Sequence, residues 1–180
     1  FDHATGTWGW DSEQIARAAM TTHVVEFMIA RLKHLPLPTQ AALQLAACIG
    51  ERFDLKILSI IEERSPAVVA TELWEALRAG LIIPLNADYP LVHVQADEEH
   101  AEALDSGAMV YTFRHDRIQQ AAYSLVPADT KQHTHLHIGR VMQQQLNAEE
   151  QAEHALEIVR QLNAGRRLLA TEGDRLALAT

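Results

Sequence analysis

The 180-residue chain has one cysteine, Cys48, so it can form neither an internal disulfide nor a thiolate metal cluster. That thiol lies in the apolar run Leu45-Ala46-Ala47-Cys48-Ile49, where a buried and inert side chain is expected, and a reducing cytoplasm is the simplest compartment for it. Aromatic residues are scarce at 6%, which disfavours a sheet-rich sandwich or barrel. Basic residues are outnumbered, 15 Lys and Arg against 24 Asp and Glu for a net charge of -9, and this opposes a default role on nucleic acid or anionic lipid. There is no 18-residue apolar run and no basic-then-apolar leader, so no membrane contact is expected of this segment. None of the eight glycines opens a G-x-x-x-x-G-K-[ST] phosphate loop, and no serine sits in a nucleophile elbow with a histidine and an acid to match. Catalytic residues are therefore not expected here, and the opening at Phe1 rather than Met reads as a piece of a longer protein.

What is present is 48% hydrophobic residues with recurrent Ala, Leu and Gln, enough for a helical core. Residues 1–10 carry a turn at Thr5-Gly6-Thr7 and alternating Trp8 and Trp10, the pattern of a short hairpin. Asp11 is expected to cap a helix and Thr22 a second one, in which Val24, Val25, Met28, Ile29, Leu32 and Leu35 form the apolar stripe until Pro36-Leu37-Pro38 ends it. Three helices follow: 39–49, stopped by Gly50; a short one capped by Asp54; and one opened by Ser65-Pro66, with Val69, Leu73, Ala76 and Leu77 inward and Gly80 in a left-handed cap. Residues 81–85, marked as an edge by Pro84, and residues 109–113 read as the two strands of a ribbon. Between them, Asp88, Asp97, Glu98, Glu99, Glu102 and Asp105 occur without Lys or Arg and read as a solvated acidic loop. Beyond the ribbon, His115 or Asp116 should cap a helix ending before Pro127, followed by helices at 129–146, 155–162 and from 165 onward. The expected class is mainly α, a winged helix-turn-helix with a two-stranded β-ribbon, flanked by a helical lid and the start of a TPR-like repeat.

The string Phe113-Arg114-His115-Asp116-Arg117 is the best candidate site. A helix N-terminus there would present free N–H groups and a positive dipole end, with Arg114, His115 and Arg117 as further donors toward a phosphate. The bland alternative is that His115 and Asp116 only cap the helix. His133, His135 and His137 alternate, but a helix puts only His133 and His137 on one face, so solvated histidines are expected rather than a metal site. The helix from Pro66 would offer Thr71, Glu72, Glu75 and Arg78 to a DNA groove, and two carboxylates there oppose a polyanion.

The chain resembles the AAA-like, STAND-class signalling ATPase module of large bacterial serine/threonine and hybrid histidine kinases. The strings that carry the resemblance are Trp8-Gly9-Trp10-Asp11, Val24-Val25-Glu26-Phe27-Met28, Leu45-Ala46-Ala47-Cys48-Ile49-Gly50 with Phe53-Asp54-Leu55, and Leu73-Trp74 with Gly80-Leu81-Ile82. It continues through Phe113-Arg114-His115-Asp116-Arg117, Gln119-Gln120-Ala121-Ala122-Tyr123, His135-Leu136 with Ile138-Gly139-Arg140, and Gln161-Leu162-Asn163. The resemblance implies the end of an ATPase lid at 1–35, a winged helix at 36–126 and the start of a helical repeat at 127–180. It also implies that ATP or ADP with Mg belongs to a core outside this segment, with no cofactor inside it, and that Arg114, His115 and Arg117 sense the nucleotide. The partners it implies are that upstream core, the downstream signalling domains of the same chain and a protein on the helical repeat; the parent would be an ATP-binding protein kinase. The alternatives are a helical interaction scaffold and a DNA-binding winged-helix regulator.

Overall fold

The structure, a computed structural model, describes residues 12–85 and 109–168, with side chains from His23 onward. The expected hairpin at 1–10, the cap at Asp11, the acidic loop and the last helix beyond residue 168 lie outside the described residues. What is described is mainly helical with one small antiparallel sheet. In chain order the elements are α1 (Ser12–Lys33), α2 (Leu37–Ile49), β1 (Arg52–Asp54), α3 (Leu55–Glu62), α4 (Pro66–Arg78), β2 (Ile82–Pro84), β3 (Val110–Phe113), α5 (Asp116–Leu125), α6 (Lys131–Gln145), α7 (Ala148–Glu153) and α8 (Ala155–Gly165), with a 3-10 turn at Arg166–Leu168.

α1 runs unbroken through Thr22, so that residue does not cap a second helix. Thr is a tolerable interior residue, and a capping type alone does not stop a helix whose flanks continue it. Of the expected stripe, Leu32 is buried, Val25, Met28, Ile29 and Leu35 pack partly against the core, and Val24 faces outward. α2 starts at Leu37 rather than Thr39, because Pro36 takes the N-cap position and Pro38 falls in the first turn, where no N–H is needed. Thr39 Oγ1 then donates to Glu72 O at 2.7 Å and ties α2 to α4.

The expected two-stranded ribbon is a three-stranded sheet, ordered β1-β3-β2 with both pairs antiparallel. β1 is the strand the sequence hid: Phe53 pairs with Tyr111 and Arg52 with Thr112, while Ile82 pairs with Phe113 on the other side. Phe53 stacks on Tyr111 with ring centroids 5.7 Å apart, and both rings are buried. α4 ends at Gly80, whose φ of +65° is the expected left-handed position, and Leu81 N returns to Ala76 O to close the turn. The buried side chains form one cluster reaching from Leu32 through the sheet to Leu136, Ile138, Met142, Ile158 and Leu162.

α6 and α8 lie very close. A Cβ on Gly139 would sit 2.7 Å from Leu162 Cγ, and one on Gly165 would sit 2.6 Å from Leu136 Cβ and 2.9 Å from Gln132 O. Only glycine allows that approach. α7, a single capped turn held by an Asn147–Glu150 capping box, joins the two and was not expected.

Candidate functional site

β3 delivers Phe113 into the core and hands the chain to α5, so Arg114, His115 and Asp116 emerge together at the sheet end. His115 holds the N-cap position in extended backbone (φ -148°, ψ 146°), but its ring makes no capping hydrogen bond, contrary to the capping role allowed for it. An imidazole at that position is too rigid to reach back to the N–H groups that a shorter Ser or Asp would serve. The ring is exposed at the positive end of α5.

The two arginines are partly engaged. Arg114 donates its backbone N–H to Leu81 O at 3.0 Å, and its guanidinium lies over Gly80, with Nη1 3.1 Å from where a Cβ would stand. Arg117 donates from Nη1 to Gln120 Oε1 at 2.9 Å and lies 3.8 Å from Asp116 through Nε. The fold thus brings Arg114, His115 and Arg117 to one helix end, with Arg114 and His115 exposed. Arg31 of α1 grips the same region, donating from Nη2 to Ala79 O at 2.9 Å. α1, the end of α4 and the start of α5 are therefore mechanically connected at this point.

The three alternating histidines separate by environment. His133 and His137 are exposed, whereas His135 is half-buried between Tyr123 Oη at 3.0 Å from its Nε2 and Gln161 Oε1 at 2.6 Å from its Nδ1. Gln161, 1% exposed, in turn donates from Nε2 to Cys48 O at 2.8 Å and Ile49 O at 3.1 Å. No spacing rule connects a residue of α6 with one of α8 and the end of α2, so this network was invisible in sequence, although its members fall inside the strings that carry the resemblance. Lys131 lies 4.3 Å from the Tyr123 ring centroid and covers the outer side. Burial pushes the Cys48 thiol up to about 11 against the pull of Lys131, so the expected inert thiol is what the packing produces.

No protein-family model matches the chain, and no solved structure matches it. A curated relative does: over 159 residues the chain is 32% identical to hybrid signal transduction histidine kinase G of Dictyostelium discoideum. The chain is similar to a segment of a signalling kinase. The match takes in 79% of this chain and about 5% of the length of that relative. Among the described residues no helix is long and apolar enough to cross a membrane, and no group of three or more His, Cys, Asp or Glu side chains gathers as a metal site would.

Proposed function

We propose that the chain is a non-catalytic, signal-transmitting segment of a multidomain signalling ATPase-kinase, coupling the nucleotide state of an upstream ATPase core to downstream signalling domains. The observation that carries this reading is the likeness, along most of this chain, to a hybrid signal transduction histidine kinase. The element order α2–β1–α3–α4–β2–β3, with β3 between the other two strands, supports a winged helix-turn-helix over residues 36–126. The close α6–α8 pair supports the start of a TPR-like repeat over 127–180, with residues 1–35 as the end of the ATPase lid. ATP or ADP with Mg is then the ligand of the core, and the compartment is the cytoplasm.

In this reading His115, with Arg114 and Arg117 beside it, meets the nucleotide phosphates when core and winged helix are closed on each other. Loss of that contact frees the winged helix, and the shift passes to the tail. The test is His115→Ala in the full-length parent protein. Because the ring is exposed, folding should be unchanged while ADP affinity falls and kinase output rises; an unaltered affinity together with an unaltered output removes the proposal.

A second reading, a helical interaction scaffold, is favoured by one feature: Leu156 and Val159 of α8 are 88% and 43% exposed. A DNA-binding role has less support, because the cations on and beside α4 are already engaged, Arg78 with Glu75 and Arg64 with Glu72.

A further inference from the structure

Helix α2 ends without the usual backbone closure. Gly50 follows it in extended conformation rather than left-handed, and only its own N–H returns, to Ala46 O at 3.0 Å. The last carbonyls of the helix would be left without donors in a buried place. Side chains from distant elements supply them instead: Gln119 Nε2 of α5 donates to Ala47 O at 3.3 Å, and Gln161 Nε2 of α8 to Cys48 O and Ile49 O. Arg160 adds its Nη2 to Ile49 O and brings a cation to the negative end of the helix. Gly50 leaves room for it, since a Cβ there would lie 3.1 Å from that guanidinium nitrogen.

We propose that Gln161 is a latch joining the α6–α8 pair to the end of α2, and that its release is the local opening by which the tail uncouples from the rest of the molecule. Every polar atom of the Gln161 side chain is used. Two carbonyls demand its amide N–H groups, which fixes the amide orientation and leaves Oε1 facing His135. His135 must then donate from Nδ1, and in the neutral ring Nε2 is left as the acceptor for the Tyr123 hydroxyl. The chain of bonds therefore has one direction throughout, and removing Gln161 leaves two buried carbonyls, of Cys48 and Ile49, short of a donor.

The glycine contacts of α6 with α8 make that pair stiff, so it leaves as a body. Across the joint the remaining polar ties sit nearer the surface, chiefly Arg160 on Ile49 O and the Lys56–Glu150 ion pair. A cavity of about 230 Å³ lined by Cys48, Gln119, Tyr123, His135 and Gln161 already reaches the network, which gives water a way in. The latch names the joint of the transmission reading above and rests on that reading only for its purpose, not for its existence.

The only cysteine of the chain lies at the joint and reports on it. In the 180-residue chain without denaturant, the rate at which an aromatic disulfide reagent labels Cys48 measures the opening. Gln161→Met keeps the bulk and removes the bonds; its labelling should be faster than wild type by about tenfold or more. Val69→Ala, in α4 and outside the latch, is the control for general loss of stability. If Gln161→Met labels no faster than Val69→Ala at an equal denaturation midpoint, the latch is overturned. Nitrogen-15 NMR of the wild-type chain gives a second arm that needs no variant: a proton on His135 Nδ1 and none on Nε2 is expected, and the opposite tautomer overturns the proposal. Neither arm involves nucleotide, so failure here leaves the His115 test standing, and failure there leaves the latch standing.

Discussion

Glu62 carries a conflict found at no other side chain among the described residues. Its Oε2 is buried with no hydrogen-bond donor and only Arg64 Nη1 at 3.6 Å, while Arg64 is already forked onto Glu72 at 2.7 and 2.6 Å. Burial, and then the charge of Glu72, hold the Glu62 carboxyl above the usual range, against the pull of Arg64. A carboxyl whose pKa is higher folded than unfolded favours folding when protonated. That contribution is complete below the unfolded pKa and is lost as pH rises through the folded one. Glu62→Gln should therefore raise the urea midpoint at neutral pH, with the gain over wild type vanishing below about pH 4. A gain independent of pH would show that packing rather than charge is responsible.

At the scale of elements, two of the N-caps read from sequence, Asp54 and Ser65, behave differently. Asp54 Oδ1 accepts from Lys56 N at 2.7 Å and Ile57 N at 3.3 Å, so the expected cap of α3 is made in full. Ser65 occupies the N-cap of α4, yet its hydroxyl makes no capping bond, and Pro66 at the first position does the pre-organising. Asp54→Ala should accordingly cost about 1 kcal/mol by chemical denaturation, and Ser65→Ala only a few tenths. Equal losses would mean that the serine caps in solution after all. The features legible in the sequence were of this local kind: the Asp54 cap, Gly80 just after α4, Pro84 on an edge strand, and the inner face of α4. β1 was not legible, because three residues cannot show a period and Arg52–Asp54 becomes a strand only through β3. α7 escaped for the same reason of length, and the unbroken α1 because Thr22 suits a cap and a helix interior alike.

Over the whole molecule the buried cluster passes without a break from α1 to α8, taking in Leu32, Leu43, Phe53, Leu73, Tyr111, Ile138 and Leu162. Thermal unfolding should therefore give one transition, with calorimetric and van't Hoff enthalpies in agreement. Two resolved transitions would mean that the tail and the sheet-bearing part melt apart. The candidate site follows the same division between near and far. Arg114, His115 and Arg117 were legible together because they are neighbours in the chain, whereas the His135–Gln161 pairing depends on how α6 and α8 come to rest on α2.

The placing of β3 between β1 and β2 also sets the order in which the molecule can be made. Both outer strands precede it in the chain, and neither has a ladder partner until β3 arrives. During synthesis the helices from α2 to α4 can settle on near-neighbour contacts, but the sheet must wait for a strand that lies 25 residues beyond β2, and pairing over such a separation is the slow kind of step. In that interval β1 and β2 are open edges, the kind of surface on which nascent chains stick to one another. Pro84, which removes one donor from β2, shortens the exposed edge while the chain waits.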